Sequence, residues 1–129
     1  MNEHSFIRSI HRKLPRGIYH WKIRDSFSNG VPDCYYEGPK GSLWIEYKYI
    51  KKLPSRNSSK VTINLSELQK NWLQRAVTNN QNCAVVVGTN ENLAIFKHGD
   101  WTFSITKEYY LDISSTKDSL VDYITKTVS

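Results

Sequence analysis

Apolar residues recur at helical spacing in some stretches of the chain and at alternate positions in others. Near the start, Ile7, Ile10 and Leu14 share one helical face with Phe6 beside them, until Pro15 and Gly17 end the pattern. Glu3 falls on that same apolar stripe. IYHWKIR then alternates as a strand does, and SFSNG reads as a turn. VPDCYYE and SLWIEYKYI are strand-like runs joined by Gly38-Pro39-Lys40-Gly41, which predicts a hairpin. IKKLPSRNSSK has no periodicity and reads as a loop. In LSELQKNWLQRAV, residues Leu65, Leu68, Trp72, Leu73 and Ala76 share a helical face, with Ser66 placed as N-cap. Cys83 to Val87 is a valine-rich run too short for a helix, hence a buried strand. NLAIFK and WTFSI predict a further hairpin turning around Lys97 to Asp100, and Leu120, Ile124 and Val128 predict a closing helix. The expected architecture is one α/β domain over residues 1–129, a mixed sheet flanked by helices, with a core over 1–88 and a hairpin-plus-helix extension over 89–129.

Composition agrees with one compact domain, since 129 residues with 39% hydrophobic and 23% charged content suffice to bury a core. A mean hydropathy of −0.57 and the lack of any long apolar run predict no membrane span. The opening MNEHSFIRSIHRKLPRG has no apolar signal core, so a cytoplasmic protein is expected. Cys34 and Cys83 have no metal-binding spacing and are expected as reduced, buried thiols. The absence of a Gly-rich phosphate loop argues against a nucleotide cofactor. His4, His11, His20 and His98 form no nuclease-type cluster and are expected to be solvated or to face phosphate. Tyr35, Tyr36, Tyr47 and Tyr49 read as sheet packing, Tyr109 and Tyr110 as surface, and Trp21, Trp44, Trp72 and Trp101 as core, with Trp44 also able to wall a site.

Charge adds a partner class. Eighteen Lys and Arg against 12 acids give a net +6, which suits a polyanion. Arg8 and Arg12 in the first segment, with Lys51, Lys52, Arg56 and Lys60 after the hairpin, are candidate contacts for a DNA backbone, although a basic loop is as readily a solvated connection.

The hairpin carries the candidate chemistry. If its loop is centred between Pro39 and Lys40, residues whose numbers sum to 79 oppose each other, and Asp33 faces Glu46. Opposed residues have Cβ atoms roughly 5 Å apart on one side of the sheet, so two carboxylates meet. They repel unless a cation joins them, and oxygen donors favour Mg²⁺ or Mn²⁺. Lys48 lies on the same face, one strand repeat beyond Glu46. Acid, acid and amine suit phosphodiester hydrolysis, with the lysine either holding the attacking water or stabilising the transition state. Pro32 fits the start of a strand because it cannot donate to the ladder. An exposed strand face carrying a Glu and a Lys is the ordinary alternative.

The order GVPD, short hairpin, IEYK and a helix carrying Gln69 resembles the PD-(D/E)XK nuclease superfamily and, within it, most closely the VRR-NUC family. The matching positions are Glu3, Gly30 with Pro32 and Asp33, Glu46 with Lys48, and Gln69, over about residues 1 to 88. The resemblance implies a restriction-endonuclease-like core and a Mg²⁺- or Mn²⁺-dependent endonuclease. Asp33, Glu46, the carbonyl of Tyr47 and Glu3 would hold the metal, Lys48 would be the catalytic lysine, and Gln69 would support the site. Glu3 is equally suited to the helix dipole, and Ser66 with Gln69 to a capping box. KYIKKLPSRNSSKVTINLS is longer and more basic than the compact segment typical of the family. DNA is the implied substrate and a homodimer the simplest route to paired cuts. Junction resolution is favoured over homing, restriction-type or repair cleavage, and the chain looks similar to compact phage-encoded enzymes. The rivals from other classes are a nucleic-acid-binding module without chemistry and a protein that binds an acidic partner.

Overall fold

A computed structural model describes residues 1–23, 30–97, 101 and 103–129. Helix α1 (Glu3–His11) starts from a capping box in which the Asn2 side chain accepts the Ser5 N–H at 2.9 Å and Ser5 Oγ accepts the Asn2 N–H. It buries Phe6, Ile7 and Ile10, the stripe read from the sequence. Strands β1 (Tyr19–Lys22), β2 (Cys34–Gly38) and β3 (Gly41–Tyr49) follow as an antiparallel meander. The β2–β3 register runs from Cys34 opposite Ile45 to Gly38 opposite Gly41, so the paired numbers sum to 79 as the short turn dictates. Strand β4 (Lys60–Ile63) and helix α2 (Glu67–Thr78) then cross over to β5 (Cys83–Gly88), which pairs parallel with β3, and β6 (Leu93–Phe96) closes the five-stranded sheet in the order β1-β2-β3-β5-β6. The sheet is therefore mixed, with β5 buried along its whole length.

Two apolar layers sandwich the sheet. On one face Phe6, Ile10, Tyr36, Ile45, Tyr47 and Val86 pack with Leu120, Ile124 and Val128 of helix α4 (Lys117–Val128). On the other, Leu73 and Ala76 of α2 pack with Val85, Val87, Ile63 and Tyr110. Cys34 and Cys83 are free and buried, and burial pushes the Cys34 thiol up to about 12.

Some expectations change. The strands over 93–96 and 103–106 both form, but they do not pair with each other. β6 pairs with β5, whereas β7 (Phe103–Thr106) pairs with β4 in a separate two-stranded sheet. β4 lies at the end of the segment read as loop, where KVTI alternates exposed and buried over only four residues. Helix α3 (Lys107–Ile113), capped by Thr106, buries Tyr110, whose hydroxyl donates to the Val87 carbonyl at 2.9 Å, so Tyr110 is core and not surface. Leu68 is 53% exposed and Trp21 is 50% exposed, so neither is core. The expected turn over 26–29, His98 and the second turn over 98–100 lie outside the described residues.

Candidate active site

The site forms where β2 stops and β3 continues. Asp33 stands one residue before β2, behind the buried Pro32, and its main-chain carbonyl accepts the Ile23 N–H at 2.8 Å. On β3, Trp44 and Ile50 donate toward β5, to Asn82 and Gly88, so ladder alternation turns the N–H and C=O of Tyr47 the other way, toward Asp33. With no β2 residue left to pair, Asp33 Oδ2 accepts the Tyr47 N–H itself at 2.9 Å. Its carboxylate thus replaces a ladder partner, and the Tyr47 carbonyl shares the gap.

Glu46 is 3% exposed. Its Oε2 accepts from Gln69 Nε2 at 3.0 Å and lies 3.4 Å from Lys48 Nζ, while Oε1 is buried with no hydrogen-bond partner among the described residues. Burial first, then the charge of Asp33, raises the Glu46 carboxyl to about 8, against the pull of Lys48. Asp33 is raised as well, by burial, with the Tyr47 N–H and Lys48 opposing. Glu3, from α1, is raised by burial and by Asp33 and lowered by Lys48 and Lys22, so it belongs to the same field even though it also occupies the first turn of its helix.

Gln69 makes both a capping contact and a contact to Glu46. It is N3 of α2, where its N–H donates to Ser66 Oγ at 3.1 Å and its Oε1 accepts the Ser66 N–H at 2.9 Å. Because Oε1 is committed to that donor, Nε2 is the end presented to Glu46, and Lys48 Nζ reaches Oε1 at 3.4 Å. The capping box therefore orients the amide that holds the acid. Gly30 lets the loop before Asp33 lie against the main chain at the start of α2. Its φ is +80°, and a Cβ there would run into the Leu68 carbonyl and lie 2.6 Å from the Gln69 nitrogen.

Lys22 was not legible as a site residue. It pairs with Cys34 beside Asp33, and its charge reaches both Asp33 and Glu3, while Nζ sits 2.6 Å from His4 Nδ1. The signal lay in the alternation of residues 18–24, but the partner of that strand was unspecified. His11 also departs from expectation. Its Nε2 meets the Tyr36 hydroxyl at 2.8 Å, its ring lies 4.3 Å from that of His20, and burial followed by His20 and Lys22 lowers it to about 4.

The donor set fits a hard divalent ion. A buried carboxylate oxygen without a partner and a second acid raised by burial are groups that a cation beside Asp33, Glu46 and the Tyr47 carbonyl would satisfy. No group of three or more His, Cys, Asp and Glu side chains forms a metal-holding cluster among the described residues.

The basic residues divide into separate groups. Arg8 lines a cleft with His4, His11, His20, Trp21 and Lys22 next to Glu3, and Arg12 is exposed at the end of α1. Lys51 and Lys52 leave β3 beyond Lys48 and line a cleft with Thr89–Asn92. Arg56 and Lys60 are exposed on a segment that is pinned to α3, with the Asn57 and Ser59 carbonyls accepting the Glu108 and Lys107 N–H groups.

No family model and no curated protein matches the chain. Among solved structures it is similar to Hjc from Archaeoglobus fulgidus, a Holliday junction resolvase from an archaeal hyperthermophile, with a TM-score of 0.58 and 13% identity over 95% of this chain and 97% of that one. The chain has the restriction-endonuclease-like fold, a five-stranded mixed sheet flanked by helices.

Proposed function

We propose that this chain is a metal-dependent endonuclease that hydrolyses phosphodiester bonds in branched DNA, with four-way junctions as the favoured substrate. The observation that carries the reading is Glu46 Oε1, buried beside Asp33 with no hydrogen-bond partner among the described residues, on a carboxyl whose Oε2 lies 3.4 Å from Lys48 Nζ. Buried polar groups are ordinarily satisfied, and an exception at a cluster of acids and an amine is best explained by an absent ligand. Likeness to a junction resolvase supports the substrate class, and the order of Glu3, Gly30-x-Pro32-Asp33, Glu46-x-Lys48 and Gln69 supports the narrower VRR-NUC reading.

Asp33, Glu46 and the Tyr47 carbonyl would hold Mg²⁺ or Mn²⁺, with Glu3 completing the set. A bound divalent ion supplies an activated water and neutralises charge on the phosphoryl oxygens. Lys48 places an ammonium at the same point, where it orients the water or stabilises the transition state. Gln69 keeps the Glu46 carboxylate aimed by donating to Oε2. Arg8, Arg12, Lys51, Lys52, Arg56 and Lys60 would take the flanking phosphates. One site per chain cuts one strand, so paired cuts call for a two-fold homodimer.

The test is incubation of the chain and its Glu46→Ala variant with supercoiled plasmid, linear duplex and a four-way junction, in Mg²⁺, Mn²⁺ or EDTA. Metal-dependent cleavage by the parent alone, strongest on the junction, is the expected result. Equal cleavage by Glu46→Ala would overturn the site, and preference for plain duplex would overturn the substrate. Binding to DNA with no cleavage of any form favours the module without chemistry.

A further inference from the structure

An aromatic strip crosses the sheet on the face that carries Glu46. Tyr35 and Trp44 are register partners with ring centroids 4.7 Å apart, Trp44 meets Trp72 of α2 at 5.1 Å, and Tyr19 of β1 meets Tyr35 at 6.5 Å. The Arg75 guanidinium lies 5.2 Å from the Trp72 ring centroid, ending the strip in a cation. Trp44 is one strand repeat before Glu46 and Trp72 is about one helical turn beyond Gln69, so the strip starts roughly 7 Å from the acid. At that end Trp44, Trp72 and Arg75 line a cleft together with Asn79 and Gln81.

Core packing accounts for part of the strip, since Trp44 and Trp72 pack against one apolar layer, but not for its Tyr19–Tyr35 end. Tyr19 is 58% exposed, Tyr35 belongs to neither apolar core, and Trp44 and Trp72 only border one of them. Glu37 accepts the Tyr35 hydroxyl and so fixes that ring. The strip is only four rings long and three of them are half-buried, a smaller patch than the ~800 Å² per partner that a stable protein interface covers. A narrow, stackable, anionic occupant fits a strip of this size that ends in an arginine on a chain of net charge +6.

We propose that the strip stacks the bases of an unpaired DNA strand running away from the scissile phosphate, with Arg75 on its backbone and the amides of Asn79 and Gln81 facing a base edge. It deepens the nuclease reading and rests on it for the placement of the scissile phosphate. Stacking tolerates any base, so it would select single-stranded character and not sequence.

The test uses the Lys48→Ala chain without divalent ion, titrated with short oligodeoxythymidine and with a duplex of equal length, read by tryptophan fluorescence quenching. Adding Tyr19→Ala or Arg75→Ala, both surface changes, is expected to weaken oligodeoxythymidine binding about fivefold or more and to leave duplex binding within about twofold. Equal loss on both ligands, or no loss, overturns the proposal. So does quenching that rises with protein concentration alone, accompanied by a sedimenting dimer that Tyr19→Ala splits, because the strip is then a subunit contact. The two readings fail separately. A chain that cuts no DNA but binds single strands through the strip loses only the nuclease assignment, whereas a chain that cuts junctions without any effect of Tyr19 or Arg75 on single-strand binding loses only the strip.

Discussion

Glu46 and Tyr47 are neighbours on β3, both buried, and they face opposite layers of the protein. Tyr47 sends its hydroxyl to that of Tyr36 at 2.7 Å, and Tyr36 continues to His11 at 2.8 Å, a chain in which each polar group has a partner. Glu46 ends with an oxygen that has none. A buried polar network that closes on itself specifies structure, and one left open at a charged atom leaves a place for a ligand. The contrast between adjacent residues marks a candidate ligand position more sharply than burial or charge alone.

The strongest way to break the contrast is to neutralise the open side. Glu46→Gln keeps the shape and the Gln69 contact region but removes a carboxylate, so cleavage should fall roughly a thousandfold or more in a plasmid assay. The same change removes the cost of taking up, on folding at neutral pH, the proton that the unfolded chain releases, and the metal-free thermal midpoint should rise by about 3 °C. A protein that loses activity and stability together would contradict this account of Glu46. Gln69→Ala should lower cleavage about tenfold by releasing the acid, and should cost about 1 kcal/mol by opening the capping box. Ser66→Ala provides the control, with a similar stability loss in denaturant melts but cleavage within about twofold of the parent.

On the closed side the effects are confined to stability. Tyr47→Phe removes one link and should cost about 1 kcal/mol with cleavage nearly unchanged. The two sides also have opposite pH dependence, which metal-free melts at stepped pH will resolve. Glu46, raised from 4.5 to about 8, keeps a proton that the unfolded chain releases, so its contribution declines as pH rises through that window. His11, lowered from 6.5 to about 4, contributes fully above 6.5 and loses its contribution as pH falls toward 4. Mg²⁺ must displace the Glu46 proton, so its stabilising effect should be larger at the alkaline end of the range, and Glu46→Gln should abolish that trend.

The hairpin was legible because a short turn leaves one register, and that register placed Asp33 against Glu46 and Lys48 beside it. Where pairing is not local the sequence was silent. NLAIFK and WTFSI are both strands, but β6 finds β5 and β7 finds the short KVTI strand, and no local signal encodes those choices. Leu68 misled for a related reason. Periodicity put it on the apolar stripe, whereas the chain buries Leu65 just before the helix and leaves Leu68 exposed. Gln69 was ambiguous in the sequence because a capping glutamine and a glutamine reaching Glu46 occupy the same helical position, and here one side chain makes both contacts.

Gly30 has a consequence of a different kind. Main chain from the loop that delivers Asp33 rests against main chain at the start of α2, in a space that no side chain can enter. The distance between that loop and the start of α2 is therefore set by backbone contact, which has no rotamers with which to drift. Substitutions accumulating in the cores beneath can be absorbed by side-chain repacking without retuning the gap above them.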